Sequence, residues 1–172
     1  MTQSRKRASA QARSYVVLSD ASEQTESLGR RLGQLLRSGD VIALSGDLGA
    51  GKTVLTRGIA QGARAAGYFA SPTFTLVREY PGPVPISHVD LYRLEAPRQI
   101  EDIGFDEILE RAGVVVIEWA EKIRNMLPAE YLWVEIRFTD RETEREITFT
   151  PRGSRYASIA QALVKEDAHP RH

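Results

Sequence analysis

Hydrophobic and polar positions along the chain alternate between short branched-apolar runs and stretches with helical spacing. Tyr15 to Leu18 is a short apolar run that predicts an edge strand. Leu28, Leu32, Leu35 and Leu36 then fall on one face at helical spacing. Asp20 is placed to cap that helix, with Glu23 three residues on as in a capping box. Ser38, Gly39 and Asp40 end it. Val41 to Leu44 reads as a buried strand, and a glycine-rich turn follows. From Lys52, the positions of Val54, Leu55 and Ile59 return to a helical period, so a second helix starts there.

The second half repeats the alternation. Thr75 to Tyr80 and Val84 to Val89 read as strands, and Pro81-Gly82-Pro83 between them is a turn. A connection that short requires an antiparallel pair, since a parallel crossover needs about a dozen residues. Pro97 to Leu109 is a helical stretch broken at Gly104. Val114 to Ile117 is the clearest buried strand. Leu132, Val134, Ile136 and Phe138 alternate with polar residues, as do Ile147 and Phe149 after the charged turn near Asp140 and Arg141. This predicts a hairpin with one wet face. Ser154 is placed to cap a last helix carrying Ile159, Leu163 and Val164. The pattern is that of one α/β domain over residues 15–165, with a mixed, mainly parallel sheet flanked by helices and antiparallel hairpin additions.

Composition narrows the picture. The 172 residues, 42% of them hydrophobic, suffice for one core. Lys and Arg number 23 and Asp and Glu 23, so no large nucleic-acid surface is indicated. The chain has no cysteine, which removes disulfides and thiolate metal sites and fits a reducing, cytoplasmic setting. No apolar run is long enough to span a membrane. Residues 1–14 carry Arg5, Lys6, Arg7 and Arg13 and no acid. They read as a disordered basic leader, as an arm for RNA or an acidic partner, or as a transit peptide. Residues 166–172 read as a flexible tail.

The candidate chemistry lies in the turn after the first buried strand. Gly46-Asp47-Leu48-Gly49-Ala50-Gly51-Lys52-Thr53 matches the phosphate-binding pattern G-x-x-x-x-G-K-[ST]. The bare pattern arises by chance in on the order of one chain in a hundred of this length. Here a strand precedes it and a helix follows, as the motif demands. Its glycines let consecutive N–H groups turn toward phosphate oxygens, and the helix beginning at Lys52 adds its positive dipole end. Lys52 would reach the β- and γ-phosphates of a nucleotide, and the Thr53 hydroxyl would ligate Mg²⁺. The fold class is therefore P-loop NTPase-like, with ATP and Mg²⁺ as cofactors.

Such a site needs a second magnesium anchor, an Asp at the end of a neighbouring strand. Asp90 ends the run Val84 to Val89 and reads as that anchor or as a capping residue. Glu118 follows Val114 to Ile117 and reads as a carboxylate that positions the attacking water or as a solvated edge residue. Trp119 beside it reads locally as a packing residue. Ser71-Pro72-Thr73-Phe74-Thr75 lies in a loop after the P-loop helix, where Thr73 reads as a γ-phosphate sensor or as part of a plain turn. No N-K-x-D run selects guanine, no Gly-Gly-Gln transporter signature is present, and little room remains for the inserts of a nucleotide kinase.

Four segments, in order and spacing, closely resemble the bacterial TsaE family. They are the P-loop from Gly46 to Thr53, Ser71-Pro72-Thr73-Phe74-Thr75-Leu76, His88-Val89-Asp90-Leu91-Tyr92-Arg93, and Ile117-Glu118-Trp119-Ala120-Glu121. The resemblance covers roughly residues 15 to 150, and the second pair of segments is more specific than the P-loop. It implies a small ATPase needed for threonylcarbamoylation of tRNA adenosine 37. Such a protein works with TsaB and TsaD, resets their complex between turnovers, and meets tRNA only through that complex. It also implies Asp90 as magnesium ligand, Thr73 as switch residue, Glu118 and Trp119 as a functional pair, and a site role for Tyr92 and Arg93. Arg93 reads equally as a structural ion pair. In the mechanism this implies, Lys52, Thr73 and Glu118 are the catalytic residues. Hydrolysis is slow alone and faster with partners, because the chain shows no certain arginine finger in cis. The alternatives are a nucleotide-dependent interaction module that has no need of hydrolysis, and a small-molecule kinase.

Overall fold

The structure is a computed structural model that describes residues 13–69 and 75–167. Seven strands form one sheet in the order β1-β7-β6-β2-β5-β4-β3. The strands are β1 (Tyr15–Ser19), β2 (Val41–Ser45), β3 (Val77–Tyr80), β4 (Ile86–Asp90), β5 (Val114–Glu118), β6 (Tyr131–Phe138) and β7 (Arg145–Arg152). The central four, β6, β2, β5 and β4, run parallel to one another. β3 and β7 pair antiparallel at either side, and β1 is the edge strand beyond β7. The mixed, mainly parallel architecture and its antiparallel additions match the expectation.

β2, β4 and β5 are buried at every position. Strands covered on both faces have no wet side, which is why β2 and β5 read as continuous apolar runs. β4 is the exception, since it buries Ser87, His88 and Asp90 as well. Buried polar groups call for partners, and those of His88 Nε2 and Asp90 lie at the site described below.

Helices α1 (Ser22–Leu35), α2 (Lys52–Gly62) and α5 (Ser154–Asp167) cover one face, where Leu28, Leu32, Leu55, Ile59 and Leu163 pack on Ile42, Leu44, Val116 and Val134. The short helices α3 (Pro97–Asp102) and α4 (Phe105–Glu110) and a 3-10 stretch, Ala120–Met126, cover the other. There Ile100, Phe105, Ile108 and Ile123 pack on Val89, Val115 and Ile117. Gly104, in the left-handed region at φ 68°, separates α3 from α4 and produces the break the sequence predicts.

α1 and α2 meet backbone to backbone. A Cβ at Gly29 would run into the Leu55 carbonyl, at Gly33 into that of Ile59, at Gly58 into that of Glu26, and at Gly62 into that of Arg30. Each pair of glycines is four residues apart, so both lie on one face of their helix. Glycine costs a helix about 1 kcal/mol relative to alanine, and close packing offsets that here.

Several local expectations are corrected. Asp20 does not cap α1: Ala21 is its N-cap, and no side chain caps it. Instead the Asp20 N–H donates to Gln24 Oε1 at 2.8 Å. Leu35 is exposed, because α1 ends there and its face has turned from the core. β3 and β4 begin two residues later than predicted. Phe138 is exposed past the end of the helical cover, with the Arg145 guanidinium 4.3 Å from its ring centroid. Trp133, on the face expected to be wet, is buried with Arg124 stacked at 4.0 Å. Ser154 is the first residue of α5, and the Gly153 carbonyl accepts the helix's first bond, from Ala157. α5 continues to Asp167, so residues 166 and 167 are helix and not tail. Of the expected leader, Arg13 and Ser14 are described, and the Ser14 hydroxyl bonds that of Thr150 at 3.0 Å.

Candidate functional site

The P-loop joins β2 to α2. Gly46 sits at φ 143°, where a Cβ would also collide with the Ile136 carbonyl. Only glycine fits this exit from the sheet. Gly51, at φ 116°, is the N-cap of α2. No side chain caps that helix, which leaves the N–H groups of its first turn to an anion. Within the loop the Ala50 N–H donates to the Asp47 carbonyl at 3.0 Å, and Leu48 is exposed at the tip.

Lys52 starts α2 and is buried. Its Nζ donates to the Gly46 carbonyl at 2.5 Å and the Asp47 carbonyl at 2.9 Å, bracing the loop. The ammonium lies 4.1 Å from the centroid of Trp119. Burial lowers its pKa, and the charges of Glu118, Glu121, Asp90 and Asp47 partly offset that. Trp119 itself occupies the left-handed region at φ 61°, a conformation rare for a bulky side chain. The ring of Tyr92 packs on it with centroids 5.1 Å apart.

Two carboxylates converge on the same place. β4 and β5 are parallel and in register, so Asp90 stands beside Glu118 at their C-terminal ends. Asp90 Oδ1 accepts the Tyr92 N–H at 3.0 Å. Glu118 Oε2 accepts from the Thr53 hydroxyl at 3.2 Å. Its other oxygen, Oε1, lies 2.8 Å from His88 Nε2 and 3.3 Å from the Thr56 hydroxyl. The Thr56 hydroxyl is also 2.9 Å from the Lys52 carbonyl. Thr53 and Thr56 are one turn apart on α2, and His88 and Asp90 are two apart on β4. One helix face and one strand therefore bring Thr53, Thr56 and His88 onto Glu118, with Asp90 beside it in the neighbouring strand.

A cavity of about 280 Å³ opens over this cluster, lined by Leu48, Gly49, Gly51, Lys52, Thr53, Val54, Asp90, Tyr92, Glu118 and Trp119. It lies outside the carboxyl ends of the strands, where open α/β sheets bind their ligands. The structure thus brings together Lys52, Thr53, Asp90, Glu118, Trp119 and Tyr92. Arg93 does not line the cavity, and Thr73 lies outside the described residues. Sequence reading assigned no role to Thr56 or His88. Their signal was spacing: Thr56 one turn beyond Thr53, His88 on the same strand face as Asp90.

Among the described residues no group of three or more His, Asp or Glu could hold a metal alone. Mg²⁺ does not ask for one. It takes one or two protein oxygens and completes its shell with water and phosphate oxygens. The Thr53 hydroxyl and the Asp90 carboxylate are hard oxygen donors of that kind.

The sheet order, the loop and the strand-end carboxylates define a P-loop NTPase-like protein. The family model described as threonylcarbamoyl adenosine biosynthesis protein TsaE matches residues 19–147. A Bacillus subtilis relative, called tRNA threonylcarbamoyladenosine biosynthesis protein TsaE, is 41% identical over 146 residues, covering 84% of this chain and 90% of that one. A Streptomyces coelicolor relative of the same name is 42% identical over 145 residues, covering 80% and 97%. The crystal structure of Bacillus subtilis YdiB superposes with a TM-score of 0.78 at 34% identity, covering 92% of this chain and 99% of that one. The chain belongs to the TsaE family.

Proposed function

We propose that this protein is an ATPase of tRNA threonylcarbamoyladenosine biosynthesis, acting on a TsaB–TsaD complex to allow repeated turnover. Membership of the family supports the pathway. The convergence of Lys52, Thr53, Asp90 and Glu118 on one cavity beside a P-loop supports the chemistry, and it is the observation that carries the reading.

ATP phosphates lie along the loop's N–H groups and the first turn of α2. Lys52 exchanges its two carbonyl partners for β- and γ-phosphate oxygens and stays beneath Trp119, which shields it from water. Thr53 and Asp90 would hold Mg²⁺, which would supply positive charge to offset that of the phosphates. Glu118 orients the attacking water, and in phosphoryl transfer positioning and electrostatics carry most of the catalysis. Trp119 and Tyr92 wall the cavity. No arginine lines the cavity among the described residues. Full rate therefore depends on the partner complex, and a finger in trans is worth about 10³–10⁵. Among the described residues no helix is long and apolar enough to cross a membrane. A role in tRNA modification supports a cytoplasmic setting.

The test is phosphate release from ATP, alone and with the TsaB–TsaD pair. A slow rate that rises sharply with the pair is the expected result. Tight ATP binding without release in either state overturns the ATPase reading and leaves a nucleotide-dependent interaction module. Transfer of phosphate to an acceptor instead of water makes the protein a kinase.

A further inference from the structure

His88 is buried, with its side chain fully excluded from solvent, and lies two residues before Asp90 at the end of β4. Its Nε2 is 2.8 Å from Glu118 Oε1. Its other nitrogen, Nδ1, is buried without a hydrogen-bond partner among the described residues. A buried N–H with no acceptor is costlier than a buried lone pair beside nonpolar groups, and an imidazole lone pair at Nε2 would repel the carboxylate. The ring proton therefore belongs on Nε2, donated to Glu118. The Phe69 ring stacks on the imidazole at a centroid distance of 5.4 Å and fixes its plane. The ring is thus fixed by an aromatic face on one side and a charged acceptor on the other.

Glu118 has two oxygens with separate duties. Oε1 is engaged from behind by His88 and Thr56, and Oε2 faces the Thr53 hydroxyl at the P-loop. The geometry points to His88 as a positioning residue for hydrolysis. It anchors Oε1, so that Oε2 is presented in one orientation toward the phosphate site. A glutamate has three side-chain torsions, and water orientation is sensitive to displacements of well under an ångström to an ångström. His88 touches neither nucleotide nor water. It acts through Glu118, and the proposal rests on the reading of Glu118 as the residue that orients water.

Two isosteric replacements separate this role from mere packing. Glutamine places its amide nitrogen where Nε2 stands, whereas asparagine places it where Nδ1 stands. The full chain is assayed for ATP hydrolysis as wild type, His88→Leu, His88→Gln, His88→Asn and Glu118→Gln, with thermal melts to establish folding. His88→Leu and His88→Asn are expected to lower kcat at least about ten-fold with KM for ATP within about threefold, and His88→Gln to restore kcat to within about threefold of wild type. Unchanged kcat in His88→Leu, or equal losses in the Gln and Asn variants, overturns the proposal. If His88→Leu does not fold, the Gln and Asn pair decides it. Glu118→Gln distinguishes the two levels. Full hydrolysis by that variant overturns the reading of Glu118 and the proposal with it, whereas an inactive Glu118→Gln beside an active His88→Leu overturns the proposal alone.

The hydrogen bond is also read without turnover. The chain has three histidines, so ¹⁵N ring spectra are assigned by comparison with His88→Gln. A proton on Nε2, shifted downfield by its carboxylate acceptor and moved back upfield in Glu118→Gln, is the expected signature. A proton on Nδ1 with a bare Nε2 overturns the proposal.

Discussion

The hydroxyl of Thr53 and the carboxylate of Glu118, 65 residues apart in the chain, are joined by a 3.2 Å hydrogen bond across the mouth of the P-loop. One is carried by the helix that follows the loop and the other by the strand beside it. The bond ties the two halves of the candidate site together. Glu118→Gln keeps the shape and an acceptor oxygen but loses the charge. ATP affinity is expected to change by less than about threefold, and hydrolysis to fall by about 10²-fold or more. Equilibrium nucleotide binding and phosphate release on the same preparation test this, and an unchanged hydrolysis rate removes Glu118 from the mechanism.

Lys52 couples the site to pH. Its pKa is lowered in the folded protein, chiefly by burial, whereas the unfolded chain titrates near the ordinary lysine value of 10.5. Between those two values the unfolded chain binds more protons than the folded one, so stability rises with pH in that window. Below it, the cost of burying the charged amine is fully present. Lys52→Met removes the titration and the amine proposed to hold the phosphates. The wild type is expected to gain stability relative to Lys52→Met as pH is raised from neutrality toward 10.5, and the variant is expected to lose ATP binding. Urea melts of both proteins across that range measure the difference, and parallel pH curves would contradict the expectation.

The glycine contact between α1 and α2 leaves no room for a methyl group. At Gly58 the obstacle is the carbonyl of Glu26, a backbone atom that no rotamer change can move. Gly58→Ala is expected to destabilise by about 3 kcal/mol, at the upper end of overpacking costs, although alanine is the better helix former. Denaturant unfolding settles the sign, and a stabilised variant would show that the helices part easily.

Asp40 is buried at the start of β2, where Arg155 holds it through Nε at 2.7 Å and a second nitrogen at 2.5 Å, and the Arg37 N–H adds a third bond at 2.8 Å. The bond to Asp40 also raises the pKa of Arg155. Arg155→Leu strands a buried carboxylate and is expected to cost about 3 kcal/mol. Adding Asp40→Asn removes the charge and keeps an acceptor for Arg37, so the double variant is expected to be the more stable of the two. A double-mutant cycle on unfolding free energy checks this.

The parts of the site written in contiguous residues were legible in sequence. The P-loop is one eight-residue run between a strand and a helix, Glu118 ends an apolar run, and Asp90 ends a more polar strand. That those two carboxylates stand side by side was not legible, because β5 enters the sheet between β2 and β4, a long-range outcome. No role was read for Thr56, or for His88 within its family-like segment, for the same reason: neither has one until Glu118 is brought between them. The cap at Asp20 failed because Gln24, four residues on, takes the Asp20 N–H in place of a Glu23 capping box. Trp133 and Phe138 exchanged their expected exposures because helical cover reaches the middle of β6 and stops before its end. The four glycines carried no apolar periodicity, and only the packed helices show their purpose.

The same glycines divide the molecule mechanically. With α1 and α2 locked through their main chains, a push on the P-loop moves a rigid block and finds little compliance within it. The opposite face is built from two six-residue helices jointed at Gly104 and a 3-10 stretch with irregular backbone at Ile123. The less continuous construction is thus on the side of the sheet that includes the 3-10 stretch beginning directly after Glu118 and Trp119.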